Sequence, residues 1–164
     1  MSNVIVVNEN DEILGTMPKE EAHKNGTLHR IAVTYVENSK GEILVQNRTD
    51  GYLDHSSAGH VDVGESYEEA AKRELAEELG IGNIELKRLG HGMTHREKYP
   101  GTVVSHVFDI FSCIAEPGKL QEDEVKSVYW ADPKKVWAEM QQDNDGKFCG
   151  GFIESLKIYL DARS

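Results

Sequence analysis

Glu74, Glu77 and Glu78 have the clearest potential for chemistry in this sequence, because a helix would place their carboxylates on one arc of its surface. At about 100° per residue, Glu77 falls about 60° to one side of Glu74 and Glu78 about 40° to the other. Like charges at these spacings destabilise a helix by roughly 0.2–0.5 kcal/mol per pair. Carboxylates held close together and partly dehydrated favour a hard divalent cation, and Mg²⁺ also leaves coordination positions for substrate phosphates. The spacing therefore indicates a Mg²⁺ site, with a solvated acidic face as the alternative.

The sequence around these acids predicts the helix that positions them. Ser66 followed by Glu69 is a capping box, so we expect the helix to begin at Ser66, and Gly80 is a natural end. Apolar residues recur at every fourth position beside the acids, and they predict a buried stripe: Tyr67, Ala71, Leu75 and Leu79. The acids next to this stripe are therefore expected to be partly buried.

Strand and helix patterns alternate along the rest of the chain. The clearest is a hairpin over 29–48, in which two β-branched runs flank the turn at 38–41. Further strands are predicted at 84–93, 101–115 and 124–132, and further helices at 133–142 and 150–162. Strands interleaved with a few helices predict a mixed β-sheet flanked by helices.

The stretch from Gly59 to Ile81, GHVDVGESYEEAAKRELAEELGI, resembles a complete Nudix box. Gly59 is followed after five residues by Glu65, and after seven more by the run from Arg73 to Ile81. The resemblance implies a Nudix-type α/β/α sandwich in the α/β class, with the box as a loop–helix–loop. It also implies a Mg²⁺-dependent hydrolase, with Mn²⁺ as a substitute, that cleaves a diphosphate linkage in a nucleoside diphosphate-type substrate.

The same resemblance implies roles for individual residues. Four groups are expected to hold the metal: the carboxylates of Glu74, Glu77 and Glu78 and the backbone carbonyl of Gly59. Glu65 and Arg73 are expected to hold the loop and the ligand carboxylates in place. Metal-assisted attack of water on phosphorus is the implied mechanism. The general base is open between a glutamate of the box and a later acid, Glu122 or Glu124.

Residues 7–48 resemble the opening of isopentenyl diphosphate isomerases and the hydrolases related to them. His23, His29 and His60 match positions at which the isomerases bind metal. Ala58, however, stands where the isomerase has a cysteine, and alanine cannot transfer the proton that isomerisation requires. We therefore expect a hydrolase of the isomerase-like branch that lacks the catalytic cysteine. A catalytically silent nucleotide-binding module of the same fold is the alternative.

Two further groups are candidates for binding substrate. His60 follows the first glycine of the box. Its two alternative roles are a contact with substrate or metal, and packing of the loop. Arg96 and Tyr99 lie in a glycine-containing segment, 90–101, together with His91 and His95. Cations there would suit phosphates and Tyr99 could stack on a base, so the segment is either a substrate-recognition loop or a mobile surface loop.

Composition limits the remaining possibilities. The 164 residues fit one domain over 1–164, and the net charge of −11 argues against a nucleic-acid polymer as partner. No apolar run approaches the about 20 residues that a membrane-spanning helix needs, and no signal peptide is visible at the start. We therefore expect a cytoplasmic enzyme acting on a small phosphorylated molecule; the sequence does not predict its oligomeric state or which substrate it takes.

Overall fold

The computed structural model describes the backbone of residues 3–99 and 102–163, and their side chains apart from those of 95–99 and 102–104. In this part of the chain the elements are β1 (Asn3–Val7), β2 (Ile13–Pro18), α1 (Lys19–Asn25), β3 (His29–Glu37), β4 (Ile43–Arg48), β5 (Leu53–Asp54), β6 (Ser57–His60), α2 (Tyr67–Leu79), β7 (Lys87–Tyr99), β8 (Thr102–Ile114), β9 (Val125–Ala131), α3 (Pro133–Gln142) and α4 (Gly150–Arg163). None of the helices in the described ranges is long and apolar enough to cross a membrane.

Strand β3 lies at the centre of a mixed sheet. It pairs in parallel with β8 from His29 opposite His106 to Glu37 opposite Ile114. Antiparallel pairing joins it to β6, where Ala32 faces Gly59. The sheet extends through β1 and β2 on one side, and β4 pairs with both β5 and β9. The predicted fold class, a mixed sheet within an α/β/α sandwich, is confirmed.

The alternation of side chains along β3 divides the core into two layers, because successive residues of a strand point to opposite faces. Ile31, Val33 and Tyr35 pack against α3 and α4, in a cluster that includes Phe152 and Leu156. On the opposite face, Ala32 packs with Ala70 and Ala71 of α2, and Val36 packs with Leu75 and Leu79 of the same helix. The acidic helix therefore covers one face of the sheet directly above its central strand.

Local sequence signals account for both ends of α2. Ser66 Oγ accepts a hydrogen bond from Glu69 N, and the Glu69 side chain accepts one from Ser66 N, which completes the capping box. Gly80 ends the helix at a φ of 65°, a left-handed conformation that favours glycine. The predicted start and end of this helix are confirmed.

Two sequence-based expectations about strands need correction. The hairpin of β3 and β4 forms, but the two strands pair only at Glu37 and Ile43 and then diverge to different neighbours. The segment from Gly90 to Tyr99, expected to be a loop, belongs to β7. A Cβ on Gly92 would lie 2.7 Å from the Phe108 ring and 2.5 Å from Ile158 of α4, so this glycine marks close packing of a helix on a strand.

Candidate active site and histidine cluster

The three box glutamates differ in how far they are buried. Glu78 is 5% exposed and the Glu74 side chain 15% exposed, whereas the Glu77 side chain is 52% exposed. Partial burial beside the apolar stripe therefore holds for Glu74 and Glu78 but not for Glu77. Glu77 Oε2 lies 3.5 Å from Arg73 Nη1 and otherwise faces solvent, as expected for a ligand at the open side of a site.

Strand β6 positions the two buried carboxylates. Glu78 Oε1 accepts hydrogen bonds from Ser57 Oγ at 2.8 Å and from Ala58 N at 3.3 Å. Gly59 lies directly against Glu74, and a Cβ at this position would overlap the glutamate carboxyl group. Only glycine leaves this space open, so the first glycine of the box is explained by the approach of β6 to α2.

Arg73 connects the loop before the helix to the glutamates. Its Nε and Nη2 donate to the Glu65 carboxylate at 2.8 and 2.9 Å, and its Nη1 donates to Glu74 Oε1 at 2.7 Å. Nη2 also donates to the backbone carbonyl of His60 at 2.9 Å. Glu65 Oε1 in turn accepts from Asp62 N at 2.8 Å, which closes the loop. One planar guanidinium thus holds three parts of the box in fixed positions.

Burial and neighbouring charge raise the pKa of Glu78 and of Glu74, so these two carboxyl groups resist ionisation without a cation. Burial, and then the nearby Glu74, raise the pKa of Glu78 to about 8, while its hydrogen bond from Ser57 opposes the shift. Burial also raises the pKa of Glu74; Arg73 opposes this, and the charges of Glu77 and Glu124 add to it. A positive charge placed between these groups would favour their ionised forms.

The loop after α2 brings one of the later acids to this site. Gln121 N donates to the backbone carbonyl of Glu78 at 3.0 Å, and Thr49 N donates to the Glu124 carbonyl at 3.1 Å. Glu124 is near enough to raise the pKa of Glu74, whereas no such interaction is resolved for Glu122.

A second cluster of side chains lies beside the box. His23, His29, His60 and His106 each present one ring nitrogen, and these four atoms lie within 4.8 Å of one another. Within the described part of the chain, this is the one group of three or more His, Cys, Asp or Glu side chains that converges so closely. The box glutamates are more widely spread. We call the four residues the histidine cluster.

Burial lowers the pKa of every imidazole in the histidine cluster. The pKa of His29 falls to about 4 and that of His60 to about 3, chiefly because of burial, with the other histidines and Lys19 contributing. Burial also lowers the pKa of His23, and that of His106 lies well below its ordinary value for the same reason. The four rings are therefore neutral at pH 7.

The structure describes the side chains of some candidate substrate residues but not of others. His60 lies in the histidine cluster, and its carbonyl contacts Arg73. The side chains of Arg96 and Tyr99 fall outside the described residues, as does that of His95.

His91 Nδ1 contacts Asp109 Oδ1 at 2.7 Å, and Arg88 donates to the same carboxylate. His106 was not a candidate from the sequence, because it meets His29 through the parallel pairing of distant strands, which one sequence does not reveal.

Comparison with known proteins identifies the family. The model of the NUDIX domain matches residues 27–151. The chain is 32% identical over 163 residues to PA4841, named an uncharacterized Nudix hydrolase, from Pseudomonas aeruginosa, with 95% of this chain and 92% of that protein covered. It is 34% identical over 164 residues to the Nudix hydrolase YfcD of Escherichia coli strain K12, with 96% and 86% covered.

Two other likenesses concern the isomerase branch and the fold. The chain is 31% identical over 162 residues to the isopentenyl-diphosphate Delta-isomerase of Serratia proteamaculans, with 94% and 89% covered. Among solved structures, DR0079 from Deinococcus radiodurans matches with a TM-score of 0.76 at 23% identity, over 94% of this chain and 97% of that one, a likeness of fold. The domain match and the relatives above 30% identity show that this chain belongs to the Nudix family, as a hydrolase acting on diphosphate bonds.

Proposed function

We propose that this protein is a Mg²⁺-dependent hydrolase that cleaves the diphosphate linkage of a small molecule of the nucleoside diphosphate type. The observation that carries the proposal is the pairing of the buried Glu78 and the largely buried Glu74, whose carboxylates repel each other, with an exposed third, Glu77, on one helix. Carboxylate oxygens are the ligands that Mg²⁺ prefers, and Mn²⁺ accepts the same donors.

The residues present fit such an ion. Glu74 and Glu78 are fixed by Arg73 and Ser57 before any metal arrives, so little side-chain ordering remains to be done. Gly59 leaves room for the Glu74 carboxyl. Its backbone carbonyl remains our candidate for a further metal ligand. Bound Mg²⁺ would stabilise charge on the phosphoryl oxygens and lower the pKa of the attacking water.

The chain's own side chains have distinct tasks in this mechanism. Arg73 and Glu65 orient the carboxylates that would hold the metal. Glu77 would be a metal ligand on the solvent-exposed side of the site, where substrate enters. We assign the general base to Glu124, because it is exposed and its charge acts on Glu74. In this role it accepts the proton of the attacking water. Arg96 and Tyr99 remain our candidates for contacts to phosphate and base, and His60 borders the site through its carbonyl.

Isomerase activity is the second candidate, because a relative 31% identical over 162 residues carries that name. Ala58 has no group that can exchange a proton, and its backbone N–H is already donated to Glu78. We therefore expect no interconversion of isopentenyl and dimethylallyl diphosphate. Detection of the second compound after incubation with the first would replace our proposal with this one.

A substrate panel tests the proposed hydrolysis. Nucleoside diphosphates, nucleotide sugars, dinucleotides and nucleoside triphosphates would each be incubated with the protein and Mg²⁺, and phosphate or pyrophosphate release would be measured. We expect turnover of at least one class, loss of that turnover in excess chelator, and recovery with Mg²⁺ or Mn²⁺. Turnover that persists in excess chelator would contradict the metal requirement. Binding of nucleotides without turnover of any would instead identify a silent nucleotide-binding module.

A further inference from the structure

The segment 118–124, between β8 and β9, contains the assigned general base Glu124 and lies against the end of α2 that carries Glu78. We call it the base segment. We propose that the base segment is anchored to this helix end so that the general base is held at a fixed place beside the metal ligands, with Gly118 and Thr49 as positioning residues. This role rests on the proposed function, because it concerns the base of that reaction.

The base segment satisfies two backbone carbonyls of the kind that a helix end leaves without a partner. Gly118 N donates to the Leu79 carbonyl at 2.7 Å, and Gln121 N donates to the Glu78 carbonyl at 3.0 Å. The second bond joins the base segment to a residue whose side chain is a proposed metal ligand. Leu120 adds an apolar contact, because it packs against the cluster that contains Leu79. Movement of the base segment away from α2 would therefore break two hydrogen bonds and expose an apolar side chain.

Gly118 and Gly80 bring the two backbones together more closely than side chains would allow. A Cβ on Gly118 would lie 2.8 Å from the Gly80 carbonyl oxygen, and a Cβ on Gly80 would lie 2.5 Å from Lys119 N. Both contacts are with backbone atoms, so the backbone itself would have to move. Gly80 also needs glycine for its φ of 65°, whereas Gly118 has no positive φ. The requirement for glycine at position 118 is therefore the close approach to α2.

Thr49, in the turn between β4 and β5, holds the base segment from its other side. Thr49 N donates to the Glu124 carbonyl and Thr49 Oγ1 to the Asp123 carbonyl, both at 3.1 Å. Within the segment, Glu124 N donates to the Gln121 carbonyl at 3.1 Å and closes a turn. Val125, the next residue, is 1% exposed. The backbone on both sides of Glu124 is therefore fixed, although Glu124 itself is exposed.

This arrangement brings the charge of Glu124 to the metal ligands. Burial raises the pKa of Glu74, and the charges of Glu77 and then Glu124 add to the shift. A general base has to lie within hydrogen-bond reach of the proton that it accepts, and a misplacement of about 1 Å in such a site costs up to about a hundredfold in rate. Anchoring to the helix that carries the ligands gives Glu124 this precision.

Gly118→Ala tests the inference, because the added methyl group displaces the base segment and leaves both the base and the metal ligands in the sequence. We expect kcat to fall by about 10–100-fold, with KM and the half-saturating Mg²⁺ concentration unchanged. Amide hydrogen exchange should show reduced protection of the Gln121 N–H, which reports the displacement without reference to activity. Gly82→Ala is the matched control, because nothing lies within 4 Å of the added Cβ there.

A double variant separates positioning of the base from general damage. Because Gly118→Ala acts through Glu124, it should cause no further loss of kcat in the Glu124→Gln protein. Thr49→Val removes the bond to the Asp123 carbonyl and should lower kcat by about 3–10-fold, whereas Thr49→Ser keeps the hydroxyl and should restore the rate. Thr49→Val with and without Glu124→Gln decides the matter if Gly118→Ala does not fold.

Wild-type kcat in Gly118→Ala, alongside a strong effect of Glu124→Gln, would overturn the inference. Additive losses in the double variant would also overturn it, because the methyl group would then act on something other than the base. A raised Mg²⁺ requirement in Gly118→Ala would place the damage at the ligands, with the same consequence. Full activity of Glu124→Gln, or no turnover by the wild type, would instead refute the base or the hydrolysis of the proposed function, and the positioning role with it.

Discussion

Gly59 and Glu74 lie so close together that the glutamate carboxyl group fills the space in which any side chain at position 59 would begin. Strand β6 and helix α2 can therefore approach only at glycine. Glu78 is held in the same approach by Ser57 and by the N–H of Ala58. If this close packing serves an ion and a phosphorylated substrate, substitutions that disturb it should impair turnover.

Gly59→Ala should displace the Glu74 carboxylate, because the added methyl group occupies its place. We expect a loss of stability of about 1–3 kcal/mol from overpacking and a fall in turnover of about tenfold or more. Chemical denaturation and steady-state kinetics would measure the two effects. Gly15→Ala is the matched control, because nothing lies within 4 Å of the added Cβ there. Equal effects of the two substitutions would refute the packing argument.

Arg73→Lys keeps the positive charge but removes the planar fork that reaches Glu65, Glu74 and the His60 carbonyl together. We expect turnover to fall by about 10–100-fold, as for other groups that orient metal ligands, with a raised requirement for Mg²⁺. A Mg²⁺ titration of the rate measures this requirement. Lys72→Arg, at the exposed neighbouring position, should behave as the wild type. Full activity of Arg73→Lys would show that charge alone is sufficient.

Glu77→Gln should leave the fold intact, since this side chain is half exposed and the substitution relieves repulsion on the helix. Turnover should nevertheless fall by about a hundredfold or more, because an anionic ligand is lost. Glu68→Gln removes an exposed acid from the same helix and should have little effect. A similar rate for both variants would remove Glu77 from the mechanism.

Glu124→Gln tests the assignment of the general base. Loss of a general base costs about 10²–10⁴-fold in rate, so kcat should fall within this range while KM changes little. Glu122→Gln, two residues earlier in the same acidic run, should leave kcat unchanged. If Glu122→Gln has the larger effect, or neither has any, the base lies elsewhere, and a glutamate of the box becomes the candidate.

Local signals made the acidic helix predictable from the sequence. The capping box at Ser66, the stop at Gly80 and the periodic apolar stripe each act within a few residues, and the structure confirms the two ends. Burial was predicted less well. The helical arc placed all three glutamates near the stripe, but Glu77 turns outward, because one helix does not reveal how closely its neighbours approach.

Contacts between distant parts of the chain were the features that the sequence did not reveal. His29 and His106 face each other through parallel pairing of β3 and β8, and no local pattern encodes that register. Gly90 and Gly92 suggested a loop, whereas the structure uses Gly92 for the close approach of α4. In both cases the chemistry of the residue was visible, but its neighbour was not.

Anomalous diffraction from a crystal soaked in Mn²⁺ tests the central claim most directly, namely that Glu74, Glu77 and Glu78 jointly hold a divalent ion for a diphosphate substrate. A slowly hydrolysed diphosphate analogue would be added to the same crystal. We predict a manganese peak within about 2.0–2.3 Å of oxygens from at least two of these glutamates and from the analogue. Bound analogue with no manganese peak among the three glutamates would contradict the account.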